Sequence, residues 1–388
     1  MGGRVVRVIM GMLAGLVAVK FADPSALTRQ SFENGFPNDE RFFPLGVWLQ
    51  SPNSAPRYKA IGVNTFVGLW KGPTEPQLAT LAKYSMFAVA DQNEVGLNSP
   101  NRYVIKAWLD SRDEPDNAQS RAYGFFRTCI PATEVVRRSH EMKSRDPTRP
   151  VMIIFGQGIA NERWRGRGLC NGDMNYYNVA ADGADILAFD IYPVGSTSQQ
   201  VKGKLEYVAR GVMNLLERAS PGQVVWNAIE TTSLDPQVPV TPAQVRSEVW
   251  MALVHGSTGI VYFVHEFEPR FREDAIFRYP KTVEEVTKIN QLITELSPVL
   301  RTANVTGKLT VSSTVPIAVM VKSYEGALYV FAVAMQNEIC QAKFSIEGFA
   351  DGQADVVNET RSIKIVSGLF EDSFAGYDVH IYQIPIGR

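Results

Sequence analysis

Two glutamates in this chain stand where carboxyl groups can do chemistry together. Glu114 lies in Trp108-Leu109-Asp110-Ser111-Arg112-Asp113-Glu114-Pro115-Asp116-Asn117, just past the apolar run Tyr103–Leu109, and Glu230 closes Val224-Val225-Trp226-Asn227-Ala228-Ile229-Glu230. Each apolar run reads as a buried strand, so each carboxyl is expected at a strand's carboxyl end. Pro115 pushes Glu114 out of helical conformation, which agrees. Two carboxyl groups flanking one bond suit hydrolysis of a glycosidic link. One protonates the departing oxygen while the other attacks the anomeric carbon, about 5 Å apart where configuration is retained.

Neighbouring residues fit these roles. Asp113 adds negative charge beside Glu114 and Trp108 adds apolar surroundings, both of which favour the protonated acid, while Glu230 is expected to stay ionised. Tyr192, in Phe189-Asp190-Ile191-Tyr192-Pro193 on the adjacent strand, is placed to hydrogen-bond Glu230; a tyrosine at a strand end also serves as a packing cap. Trp48, Trp70, Trp226 and Phe263 end or follow strands, where flat faces suit sugar rings, although core packing explains Trp226 equally well. Trp164, Arg165 and Arg167 fall in a long loop after the fifth strand, which either lines a cleft or is solvated. His265, Glu266 and Glu268 follow the eighth strand, and Glu266 competes with Glu230 for a catalytic role. Any single acid near a loop is ordinarily just solvated; it is the pairing at two strand ends that singles out Glu114 and Glu230.

The elements that must carry these residues alternate short apolar runs with longer amphipathic ones, the pattern of parallel strands joined by helices. Eight strands are expected: Leu45–Leu49, Asn64–Leu69, Phe87–Ala90, Tyr103–Leu109, Val151–Phe155, Ile186–Tyr192, Val224–Glu230 and Gly259–Val264. Eight closes a (β/α)8 barrel, whose reactive face is the carboxyl rim. A doubly wound open sheet would more naturally show a glycine-rich phosphate turn, and neither GxGxxG nor GxxxxGK[ST] occurs. A helix is expected over Thr133–Ser144, another opening at Thr241-Pro242, and a last one bearing Val283, Val286, Ile289, Ile293 and Leu296 that Pro298 stops. After Leu300 the texture turns to alternating β runs: Leu309–Ser312, Ile317–Lys322, Leu328–Ala334, Ala342–Ile346, Ile363–Val366 and Val379–Ile384. The organisation expected is a barrel over residues 23–300 and a small antiparallel β-sandwich over 301–388.

Composition narrows the partners. With 39 basic and 40 acidic residues in 388, and no basic stripe, nucleic acid is not an expected partner. The three cysteines and four histidines form no metal-ligand spacing, so no metal or organic cofactor is implied. Cys129 and Cys170 either pair in an oxidising compartment or remain buried thiols. Arg4 and Arg7 ahead of the apolar run Val8–Val19 read as a secretory leader over residues 1–22, hence a secreted or periplasmic chain without a membrane span once processed; an N-terminal helix is the alternative.

Together, Asp113-Glu114-Pro115, Asp190-Ile191-Tyr192-Pro193, Glu230 and Val261-Tyr262-Phe263 resemble clan A glycoside hydrolases, retaining (β/α)8 enzymes with catalytic glutamates on strands four and seven. The resemblance covers about Phe42 to Leu300, and the trailing β region resembles additions found in that clan. It implies Glu114 as acid/base, Glu230 as nucleophile, Tyr192 as the nucleophile's partner, and a β-linked oligosaccharide or polysaccharide as substrate. Asp113, Trp48, Trp70, Asp190, Phe263, His265, Trp164 and Arg167 are the expected substrate contacts. Asp113 departs from the Asn usual before the acid/base, replacing a donor to the sugar 2-hydroxyl with an acceptor. The eighth strand also lacks the tryptophan common under the sugar, leaving Phe263 or His265 there. A carbohydrate-binding barrel without turnover, or a transglycosylase using the same glutamates, remains open at this stage.

Overall fold

The computed structural model describes residues 32–110, 114–117, 129–164, 172–235 and 238–386. The leader expected over 1–22 lies outside them, as do Asp113, Arg165, Arg167 and Cys170.

Eight parallel strands close into a barrel: β1 (Leu45–Trp48), β2 (Thr65–Val67), β3 (Phe87–Ala90), β4 (Ile105–Leu109), β5 (Val151–Phe155), β6 (Ile186–Asp190), β7 (Val224–Glu230) and β8 (Ile260–Phe263), with β8 pairing back on β1. Around it run α1 (Ala55–Ala60), α2 (Glu75–Lys83), α3 (Glu94–Asn98), α4 (Ala132–Arg145), α5 (Met174–Ala180), α6 (Glu206–Leu216), α7 (Pro242–Val254) and α8 (Pro280–Leu300). Because both faces of such a sheet are covered, the strands are almost continuously apolar. Alternate residues fill the lumen, among them Val67, Val89, Leu109, Met152, Ile154, Ala188, Trp226 and Val261. The intervening ones, such as Phe66, Phe155, Phe189 and Ile229, pack under the helices.

Helix starts follow local chemistry. Thr74 and Thr241 each cap a helix through a reciprocal pair with a glutamine three residues on, Gln77 and Gln244, and each is followed by proline within the first two helical positions. Pro298 does not stop α8 as expected, since the helix runs on to Leu300. So near the C-terminus, proline removes one late helical bond and leaves few residues to displace.

Beyond α8 come eight antiparallel strands: β9 (Leu309–Ser313), β10 (Ile317–Tyr324), β11 (Ala327–Ala334), β12 (Cys340–Ile346), β13 (Gly352–Val356), β14 (Ser362–Ile365), β15 (Leu369–Phe374) and β16 (Val379–Pro385). They form a five-stranded sheet, ordered β10-β11-β16-β13-β14, facing a three-stranded one, β15-β12-β9. Phe344, Phe370, Phe374 and Tyr382 fill the space between. The sandwich packs on α7, where Trp250 stacks on Phe331 at 5.7 Å between ring centres. Wedged between barrel and sandwich, α7 is buried all round, so its sequence lacks an amphipathic stripe. Among the described residues no helix is long and apolar enough to cross a membrane.

Candidate active site

The turn after β4 is built to hold Glu114. The Glu114 amide donates to the Ile154 carbonyl of β5 at 3.1 Å, and the Asn117 amide donates back to the Glu114 carbonyl at 2.8 Å. Two residues on, Asp116 is fully buried, with Oδ1 accepting the Gly156 amide at 2.8 Å and Oδ2 the Tyr177 hydroxyl of α5 at 2.6 Å. Burial pushes the Asp116 carboxyl up to about 6, against the pull of those two donors. The turn is thus fastened to β5 and α5 by a carboxylate that faces no substrate. Glu114 itself has a φ of 50°, in the left-handed region that costs a residue other than glycine roughly 1–3 kcal/mol. Its Oε2 accepts the side-chain amide of Asn117.

Glu114 forms part of the wall of a cavity of about 560 Å³ at the carboxyl mouth of the barrel, a size suited to a small ligand. Trp48, Trp70, Asp190, Tyr192, Phe263 and His265 line it as well, so the structure brings these residues together as the sequence implied. Trp164 packs beside Glu114 without lining the cavity: a β-carbon on Gly156 would meet both its ring and the Glu114 carboxyl at 3.3 Å. That glycine also sets the position of the second cavity carboxylate. Phe155 is the register partner of Phe189, so Gly156 stands level with Asp190 one strand away, about 4.8 Å between backbones. Glu114, lying over Gly156, and Asp190 at the tip of β6 thus line the same cavity.

Glu230 ends β7 as expected, but its side chain is not brought into the cavity. It is fully buried and does not line the cavity. Its oxygens accept the amides of Val194 at 2.6 Å and Gly195 at 2.9 Å, and its carboxyl meets that of Glu248 on α7. The side chain is thereby turned into the wall between the barrel and the helical layer. Burial pushes Glu230 up to about 7 despite its two amide donors, and pushes Glu248 well above its ordinary value, with the Glu230 charge adding to the effect. Two touching carboxyl groups in a dry site share a proton rather than both ionising. The expected partnership with Tyr192 gives way to these backbone contacts, and the Tyr192 ring instead tilts against Phe263 at 4.9 Å.

Other expectations also change. Trp226 lies at the amino end of the lumen against Phe36, 5.3 Å between ring centres, away from the reactive mouth. Trp108 packs outward in the helical core, donating its ring N–H to Asp146 at 3.1 Å, and so does not shape the Glu114 environment directly. Glu266 is occupied by Arg278 at 2.8 Å and by the Tyr279 hydroxyl, while Glu268 is on the surface. Cys129 is disulfide-bonded and Cys340 is free and buried; Cys170, the partner the sequence offered, lies outside the described residues.

The cavity also holds residues that sequence reasoning missed: Leu234, Phe267, Phe271 and Glu273. His265 is buried, and desolvation pushes its imidazole down to about 4, so it is neutral across ordinary pH. Gln50 Nε2 approaches His265 Nε2 at 3.1 Å while donating to the Glu273 carbonyl at 2.6 Å, tying β1 to the segment after β8. Among the described lining residues the charged groups are Glu114, Asp190 and Glu273, with no lysine or arginine. No described cluster of His, Cys, Asp and Glu is arranged to hold a metal ion.

No family model matches the chain, and no curated protein matches it by sequence. Solved structures do match it in fold. A candidate alpha-galactosidase from Bacteroides fragilis is similar at a TM-score of 0.55 and 11% identity, covering 90% of this chain and 80% of that one. AmyP in complex with maltose gives 0.53 at 9% identity, covering 90% and 98%. Alpha-galactosidase I from Mortierella vinacea gives 0.52 at 8%, also covering 90% and 98%. At such identities the likeness is one of fold, an eight-stranded parallel barrel with further β-structure, and carries no residue assignments.

Proposed function

We propose that this protein hydrolyses glycosidic bonds in the cavity at the carboxyl mouth of the barrel, with Glu114 as proton donor and Asp190 as the second carboxyl group. The observation that carries the proposal is their placement: one cavity is lined by both acids amid aromatic side chains. Alpha-galactosidases among the fold neighbours support it, as does the strained, stapled backbone at Glu114. In the reaction, Glu114 gives its proton to the glycosidic oxygen as the bond from that oxygen to the anomeric carbon breaks. Asp190 either attacks that carbon or takes a proton from the attacking water, and the net change is addition of one water across the bond. Product stereochemistry reports which: retention for direct attack at about 5 Å, inversion for water held between carboxyls about 6.5–9.5 Å apart. The Glu230 role implied by family resemblance is not adopted, because Glu230 is buried outside the cavity lining, where its oxygens accept two amides and meet another acid.

A carbohydrate-binding barrel without turnover is the second reading, favoured by that same withdrawal of Glu230 from the cavity. Incubation with neutral oligosaccharides separates the two: turnover lost in both Glu114→Gln and Asp190→Asn supports hydrolysis, whereas binding without any product supports the second reading.

A further inference from the structure

The geometry points to a second binding element at the solvent-facing rim of the cavity: a platform of Phe267 and Phe271 that stacks the next sugars of an uncharged, chain-extended glycan whose scissile bond sits at Glu114. The inference rests on the proposed function and names its substrate class. Phe267 and Phe271 are 52% and 60% exposed, a large cost in apolar surface for two side chains with a nearby core to join. They are continuous with the cavity through a line of ring contacts. Tyr192 meets Phe263 at 4.9 Å, Phe263 meets His265 at 5.0 Å, His265 meets Phe271 at 5.6 Å, and Phe271 meets Phe267 at 5.8 Å. The ramp therefore begins beside Asp190 and ends in solvent, the path a glycan chain would take on leaving the cavity.

The platform is rigid before any ligand arrives. Glu266 and Arg272 exchange two backbone hydrogen bonds, of 3.0 and 2.8 Å, across the five residues that carry both rings. The Glu266 side chain, held by Arg278 and Tyr279, fixes the base of that loop to the segment leading into α8. Preformed rings lose little conformational freedom on binding, which is how stacking contributes affinity. Inside the cavity the described lining carries three acids and no base, which disfavours uronic or sulfated sugars at the Glu114 end, and flat apolar ring faces suit neutral pyranoses; Arg270 and Arg272 flank the rings beyond that lining.

The test compares wild-type protein with the double variant Phe267→Ala/Phe271→Ala, using calorimetry with cellotetraose, xylotetraose, mannotetraose and maltotetraose and the matching disaccharides. The expected result is that wild type binds one tetrasaccharide about tenfold or more tighter than its disaccharide, and that this ratio falls towards one in the variant. Both rings are exposed, so folding is checked by an unchanged melting temperature. A preserved ratio in a folded variant overturns the platform alone. Wild type that binds none of these glycans overturns the platform and the cavity reading together, and tighter binding of anionic than neutral oligosaccharides overturns the substrate class.

Discussion

The carboxyl groups of Glu230 and Glu248 meet inside the wall that joins the barrel to α7, with the first also gripped by the amides of Val194 and Gly195. Under the proposed function, Glu230 is a structural acid. Its folded value of about 7 lies above the ordinary value of 4.5, so the native state keeps a proton that the unfolded chain has released between those values. Stability from this pair is therefore present in acid and falls as pH rises from about 4.5 to 7.

Glu248→Gln tests this directly. Its amide can donate to the Glu230 carboxylate, so the variant is expected to gain melting temperature relative to wild type at pH 8 and to gain less at pH 5. Asp116 and Asp91 are also pushed up, to about 6, and weigh on stability with the same sign, so the variant-minus-wild-type difference isolates the pair. Melting curves that shift in parallel at every pH would contradict it.

Asp116 is expected to govern catalysis without touching substrate. Tyr177→Phe removes one of its two donors and should cost about 1–2 kcal/mol in urea unfolding, whereas Asp116→Ala strands the Gly156 amide and the Tyr177 hydroxyl and should cost about 3 kcal/mol. Both should lower kcat more than they raise KM, because the turn that aims Glu114 loosens. An unchanged kcat in folded Tyr177→Phe would count against the positioning role.

Gly156→Ala separates packing from chemistry. The backbone there, φ −78°, accepts alanine without strain, but the new β-carbon would press on the Glu114 carboxyl and the Trp164 ring at 3.3 Å. The neighbours must give by a few tenths of an ångström, so we expect less than about 1.5 kcal/mol of destabilisation with a tenfold or greater loss of kcat. Equal stability and equal kcat would show that Glu114 is not seated where described.

Much of this was legible in the sequence for physical reasons. Strands buried on both faces write themselves as apolar runs, so all eight barrel strands fall within a few residues of their expected places. Two strands of the sandwich escaped notice. β13 offers only Ala354 and Val356 to the core, and β15 hides Phe370 and Phe374 around Glu371-Asp372-Ser373. The mouth was read in outline, since Glu114, Asp190, Tyr192 and Phe263 end or follow barrel strands whose carboxyl ends must converge. What the sequence could not show was the rotation of a side chain at a strand's end. Glu230 has the right position, yet two loop amides and a helix carboxyl claim it, and neither is visible in the run that contains it. Phe267 and Phe271 were missed because a loop has no periodicity to betray which rings face a cavity.

The most direct measurement is turnover of a panel of aryl glycosides and neutral tetrasaccharides by Glu114→Gln, Asp190→Asn and Glu230→Gln, each confirmed folded at the assay pH. Loss of at least about a thousandfold in kcat is predicted for the first two, with Glu230→Gln within about tenfold of wild type. Near-wild-type turnover in Asp190→Asn, together with abolished turnover in folded Glu230→Gln, would contradict the account.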